Sequence, residues 1–168
     1  MKSIPLINSG AAYIFVGIAA QNGADMPTFR FLVDTGATRT TIPKNILKDL
    51  LGYSEEYIQK NKIALSEKDK PYLADGNRAD VYRIPAPRIN ISGHELQLES
   101  ILTSDTINTL HFLLGLDVLR YFKITYDFDA IDNDAPHGRM FYEFRESCIA
   151  PFTKLGEPFA YKLNNSEN

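Results

Sequence analysis

Asp34-Thr35-Gly36 is the stretch of this chain best suited to chemistry. It follows the apolar run Phe31-Leu32-Val33 and precedes the small residues Ala37 and Thr38, so the carboxylate of Asp34 emerges from the end of a buried strand. Burial disfavours an ionised carboxyl unless hydrogen bonds compensate, and Thr35 and the amide of Gly36 are adjacent donors. Hydrolysing an amide with water calls for two carboxyls, one taking a proton from the water and the other, protonated, giving one to the carbonyl oxygen. The chain has one Asp-Thr-Gly triplet and no second copy. If the triplet works this way, a C2 homodimer must supply Asp34 from each subunit at the symmetry axis. The plainer alternative is a strand-ending turn in which Asp34 bonds only local amides.

The wider pattern is more specific than the triplet. Phe31-Leu32-Val33-Asp34-Thr35-Gly36-Ala37-Thr38-Arg39-Thr40-Thr41-Ile42 resembles the active-site segment of retropepsin-like aspartic proteases. Downstream, Phe112-Leu113-Leu114-Gly115-Leu116-Asp117-Val118-Leu119 resembles that family's apolar-apolar-Gly strand and the helix that packs beside the catalytic loop. Between them, Leu73-Ala74-Asp75-Gly76 resembles the flap hairpin and Arg88-Ile89-Asn90-Ile91-Ser92-Gly93-His94 the hairpin after it. Taken without its neighbours, the segment reads better as a plain surface hairpin, and the flap assignment depends on the other motifs.

The resemblance implies an all-β, retropepsin-like acid protease fold: closed, barrel-like hairpins with a flap and short helices. It spans residues 13–144, leaving a 1–12 N-terminal segment and a 145–168 C-terminal extension with a frayed tail. It implies Asp34 as the catalytic residue and Thr35, Gly36 and Ala37 as support of the active-site loop, with Thr35 reaching the partner loop and Gly36 offering its backbone to the peptide. Leu73, Ala74, Asp75 and Gly76 would close over substrate, and Leu114, Gly115, Arg39 and Asp117 would support the site. The implied activity is that of an aspartic endopeptidase acting as a homodimer on a peptide or protein, with no cofactor and no metal. The rival reading is a non-catalytic peptide-binding or dimerisation module on the same fold. One departure stands out: many viral members carry an acidic residue soon after the loop glycine and an Arg after the downstream glycine, whereas here the charges are exchanged. That exchange predicts an Arg39–Asp117 ion pair, the alternative being a solvent-facing Arg39.

The elements that would position these residues are legible in the pattern. Tyr13 to Ala20 reads as a strand, Asn22-Gly23 as a turn and Thr28 to Val33 as the return strand of a hairpin. Pro43 opens a helix over Lys44 to Leu51, stopped at Gly52, and Ser54 starts another. Residues 63–70 form a polar surface connection. Strands are expected over Pro71 to Ala74, Ala79 to Ile84, Arg88 to Ile91 and Leu96 to Leu102, with turns at Asp75-Gly76-Asn77 and Ser92-Gly93. A short helix over Asp117 to Arg120 then precedes strands at Phe122 to Asp127 and Met140 to Phe144.

Composition narrows the remaining classes. The 168 residues, 44% hydrophobic and 23% charged, suit one soluble domain. A net charge of -3 gives no bulk attraction to nucleic acid. The single cysteine, Cys148, reads as an ordinary buried thiol, and the absence of an apolar run long enough for a signal or a membrane span reads as cytoplasmic, a removed leader or anchor aside. His94, His111 and His137 lack ligand spacing, and Asp127, Asp129, Asp132 and Asp134 lack the glycine and glutamate of a calcium loop, so an acidic turn suffices.

Overall fold

Period-two alternation organises this chain. In order, the strands are β1 (Lys2–Pro5), β2 (Tyr13–Ile18), β3 (Thr28–Val33), β4 (Ile63–Ala64), β5 (Tyr82–Pro85), β6 (Arg88–Ile91), β7 (His94–Gln97), β8 (Ser100–Thr103), β9 (Leu113–Leu114), β10 (Phe122–Asp127) and β11 (Arg139–Phe144). The helices α1 (Lys44–Asp49), α2 (Glu55–Asn61) and α3 (Leu116–Leu119) are short, so the all-β expectation holds. The coordinates are a computed structural model that describes residues 1–73, 75–107 and 111–145. Ala74, Cys148 and the C-terminal extension beyond Arg145 lie outside the described residues. No helix among the described residues is long and apolar enough to cross a membrane.

Three strand groups wrap the core, in the orders β1-β11-β10, β7-β6-β2-β3-β9 and β4-β5-β8. In the central group β2 and β3 pair antiparallel, placing Tyr13 opposite Leu32 and Phe15 opposite Arg30. Successive side chains leave opposite faces, so Ile14, Val16, Phe31 and Val33 enter the core while Phe15 and Arg30 stay outside. Each fully buried residue of this size contributes roughly 1.5–3 kcal/mol. β9 pairs parallel with the end of β3, Leu32 with Leu113 and Val33 with Leu114, which brings the second sequence motif beside the first. The strand Lys2–Pro5, in the segment set apart as N-terminal, pairs with β11 from Lys2↔Tyr142 to Pro5↔Arg139.

Local chemistry accounts for the boundaries. The β6–β7 hairpin turns on Ser92 and Gly93, both at positive φ (55° and 89°), the geometry that matches strand twist in a two-residue loop. Pro43 caps α1 rather than occupying its first turn, its carbonyl accepting from Ile46 and Leu47. Ser54 caps α2, its hydroxyl accepting from the amide of Tyr57 at 3.0 Å. Three strand expectations are corrected. Leu96 to Leu102 is not one strand but β7 and β8, because the chain leaves β6 for β5 at Leu98-Glu99. The strand expected over Pro71 to Ala74 shortens, among the described residues, to a bridge of Tyr72 with Arg78 flanked by the backbone bonds of Leu73 to Asn77 and Ala79 to Pro71, both 2.8 Å. The following strand begins at Tyr82 rather than Ala79, since the amide of Val81 bonds back to the carbonyl of Ala79 in a γ-turn. The acidic residues of the β10–β11 connection are turn caps: Asp127 accepts from the amides of Asp129 and Ala130, and Asp132 from those of Asp134 and Ala135.

A polar cluster fastens the two longer helices to the sheet. Lys44 pairs with Glu55 and Asp105, Lys62 with Asp105 at 2.8 Å, Lys48 with Glu55 at 2.9 Å, and the hydroxyl of Tyr82 donates to Asp105 at 2.6 Å. Burial works to raise the Asp105 carboxyl, but the bonds from Lys44, Lys62 and Tyr82 outweigh it and hold it well below the usual carboxylate range. Glu55, bonded by Lys44, Lys48 and Gln59, is lowered from 4.5 to about 2. Both groups are depressed in the folded state, so their contribution is present above the unfolded values and disappears as pH falls toward the folded ones. Thermal melts should therefore show a midpoint that is flat above about pH 5 and falls as pH drops from 4.5 toward 2. Lys44→Met should flatten that slope, and an unchanged slope would show that the cluster does not set the acid limit.

Candidate active site

The Asp34 loop is held by backbone bonds to the strand that crosses it. At the end of β3 the amide of Asp34 donates to the carbonyl of Leu114 at 3.1 Å, and the amide of Ala37 closes a turn on the carbonyl of Asp34 at 3.2 Å. The amide of Gly36 donates to Asp34 Oδ1 at 2.9 Å, which fixes the carboxylate over its own loop. Asp34 is half-buried, not enclosed as its apolar approach suggests, and Thr35 and Gly36 are exposed. The triplet thus faces outward as a fixed, solvent-reaching carboxylate beside an exposed hydroxyl.

Gly115 lies where the crossing is tightest. A Cβ there would stand 2.5 Å from the carbonyl carbon of Arg39 and 2.7 Å from its nitrogen, so only a glycine lets β9 pass the loop. Immediately after it, Leu116 donates to the carbonyl of Ala37 at 2.8 Å and Asp117 to that of Thr38 at 3.3 Å. Leu114, Gly115 and Asp117 therefore meet the loop that follows Asp34.

The expected Arg39–Asp117 ion pair is not present. Asp117 is buried and already satisfied: its Oδ2 accepts from the amide of Thr40 at 2.9 Å, and its Oδ1 from the Thr40 hydroxyl at 2.8 Å and the amide of Val118 at 3.0 Å. Arg39, half-buried, contributes only a weaker attraction at longer range. Burial raises the Asp117 carboxyl above its ordinary value, and the Thr40 and Val118 bonds partly offset it. A raised carboxyl favours folding at low pH and loses that contribution as pH rises through its folded value, the opposite sense to Glu55 and Asp105. Thr40, which the pattern of motifs did not single out, is the hub: its hydroxyl also accepts from Gly115 N at 3.2 Å and its carbonyl from Leu102 N at 3.0 Å. Its partner lies 77 residues away, so no local signal marks it.

Of the residues expected in a flap, Leu73, Asp75 and Gly76 sit on a separate hairpin. Asp75 caps the tip, accepting from the amide and side chain of Asn77 at 3.0 and 2.9 Å, and these bonds lower its carboxyl below the ordinary range. Gly76 donates to the carbonyl of Leu73 at 3.0 Å, Leu73 is exposed, and at the base the Arg78 guanidinium lies 3.8 Å over the Tyr72 ring. No hydrogen bond or ion pair joins this hairpin to the Asp34 loop among the described residues.

Residues 21–121 match the family model described as "gag-polyprotein putative aspartyl protease", a span that contains Asp34, the flap hairpin and Asp117. No curated protein sequence matches the chain. Among solved structures it is similar to a retropepsin-like aspartic protease from Rickettsia conorii, at 21% identity over 83% of this chain and 87% of that one, with a TM-score of 0.48. It is also similar to the EIAV protease in complex with the inhibitor HBY-793, at 16% identity over 70% and 92% of the two chains, TM-score 0.45. The retroviral protease-like domain of Ddi1 from Leishmania major aligns at 17% identity over 72% and 87%, TM-score 0.41.

The crossing yields two stability predictions. Gly115→Ala should cost at least about 2 kcal/mol, because the backbone of Arg39 has no room to yield. Asp117→Asn sets an amide N–H against the Thr40 amide and should cost about 1–3 kcal/mol, even though it removes a buried charge. Urea denaturation at neutral pH measures both, and wild-type midpoints would refute the crossing as the site's support.

Proposed function

Since the chain belongs to the gag-polyprotein aspartyl protease family, with its retropepsin-like members, we propose that it is an endopeptidase working through Asp34. The observation that carries the reading is a single Asp-Thr-Gly loop, braced by Leu114 and Gly115, that turns its carboxylate and the Thr35 hydroxyl toward solvent. One carboxylate cannot supply both proton transfers. In the proposed mechanism two chains meet on a C2 axis, so that Asp34 and the partner's Asp34 share one proton. The ionised carboxylate takes a proton from water as the water oxygen attacks the carbonyl carbon. The protonated one donates to the carbonyl oxygen, giving a tetrahedral diol. Collapse of that intermediate breaks the C–N bond, and the nitrogen leaves with a proton from the dyad. Thr35 would bridge the two loops, and Gly36 would present its backbone to the peptide. The hairpin carrying Leu73, Ala74, Asp75 and Gly76 would close over the substrate and exclude water.

A second reading, a peptide-binding module without catalysis, makes no use of a carboxylate fixed in this loop. Asp34→Asn separates the two. It should lower peptide cleavage by roughly 10³-fold or more while leaving the dimer mass unchanged by analytical ultracentrifugation. Specific activity should also fall on dilution of the wild type, because each dimer carries one complete site. Peptidase activity retained by the Asn variant would falsify the mechanism.

A further inference from the structure

The hairpin that carries Leu73, Asp75 and Gly76 is closed on itself. Its limbs, 71–73 and 75–79, are joined by the amide bonds of Leu73 to Asn77 and Ala79 to Pro71, and the Arg78 guanidinium lies over the Tyr72 ring while donating to the carbonyl of Lys70 at 2.6 Å. Among the described residues the hydrogen bonds of 72–78 reach no further than Lys70, so the hairpin is an arm whose direction is set where it joins the body. The segment entering it, 66–69, is exposed and bonded only within itself and to Lys70. The segment leaving it is held. Ala79 and Val81 are buried with Leu102 in a small apolar cluster apart from the main core, and Asp80 between them is gripped twice. Ser104 donates its hydroxyl to the carbonyl of Asp80 at 2.6 Å, and Thr106 donates its own to the Asp80 carboxylate at 3.0 Å. Ser104 is buried and fully used, its oxygen accepting the amides of Thr106 and Ile107 at 3.2 and 3.0 Å. Asp105, between the two hydroxyl residues, binds Lys44 of α1 and Lys62, which follows α2.

We infer that the bend over 104–107 is a latch between this arm and the helical flank, and that Ser104, Asp105 and Thr106 are positioning residues for the arm. For catalysis the inference rests on the endopeptidase reading, in which the arm closes over substrate. Three successive residues serve two sides in turn, so the bend cannot shift toward the helices without straining its grip on Asp80. No hydrogen bond or ion pair joins α1 or α2 to the limbs of the arm among the described residues, and the route between them runs through Asp105, its two neighbours and Asp80. The asymmetry of the two segments supplies a pivot. The entering one is free to follow, while the leaving one turns at Asp80, where the amide of Val81 bonds back to the carbonyl of Ala79. Each link is a single hydrogen bond or an ion pair near the surface, so losing one changes how often the root opens without unfolding the sheet.

Amide hydrogen exchange on the full chain, resolved by NMR, tests the latch. Thr106→Val keeps the shape of an exposed side chain and removes its bond to Asp80. It should speed exchange of the Ala79 amide by about fivefold. The Val33 amide, bonded to the carbonyl of Ala12 at 2.9 Å, should keep its wild-type rate. Thr106→Ser restores the hydroxyl and should restore the Ala79 rate. Ser104→Ala should act in the same direction and more strongly, and Asp105→Asn, which alters no residue of the arm, should speed Ala79 by about twofold. In active enzyme Thr106→Val should also raise KM by about threefold with kcat nearly unchanged. The latch is overturned, and the endopeptidase reading left intact, by an Ala79 rate that Thr106→Val or Asp105→Asn does not move, by a rise that Thr106→Ser shares, by a rise matched at Val33, or by an unchanged KM in active enzyme. If wild type cleaves nothing while the exchange pattern holds, the catalytic reading fails and the latch stands.

Discussion

Everything at the site depends on one buried contact, the Asp117 carboxylate closed on the amide and hydroxyl of Thr40. The carboxylate faces a desolvation cost, and three hydrogen bonds are needed to offset it. Those bonds impose geometry. They fix the start of α3 against the chain leaving the Asp34 loop, and Gly115 then has to lie on the backbone of Arg39. Asp34 is held because its own amide bonds the strand so placed. Loop, strand and helix are thus one unit, and the Asp34 carboxylate inherits its position from residues that never touch it.

Much of this was legible in the sequence because it is local. The β2–β3 hairpin follows from alternation and an Asn-Gly turn, β3 and β6 fall on the expected residues, and α2 starts where Ser54 announces it. The failures are non-local. A strand pattern from Leu96 to Leu102 cannot reveal that its two halves pair with different neighbours, since both halves are apolar inward. The exchanged charges suggested Arg39 for Asp117, yet a buried carboxylate is better served by rigid amides and a short hydroxyl than by a long guanidinium that would itself need desolvation. Thr40 carried no mark of its role because its meaning lies in a residue of another motif. The strand before Asp75 was over-read only in length: the amide bonds of Leu73 to Asn77 and Ala79 to Pro71 flank a single bridge of Tyr72 with Arg78, whose side chains stack beside it.

The ionisable groups outside the site pull against one another. Asp117 favours the folded chain more as pH falls, whereas Glu55 and Asp105 hold α1 and α2 only while they are ionised. Acid therefore loosens the α1–α2 flank before it loosens the Asp117 contact.

The contact of Gly115 on Arg39 is made by main chain against main chain, and it has no side chain through which it could be adjusted. Mutation can refine it by nothing short of breaking it. Variation among descendants of this sequence is accordingly channelled to outward positions such as those of β3, where a new side chain leaves the winding of the scaffold undisturbed. The inward row and the crossing are the fixed part of the design, and the outward row is the part free to change.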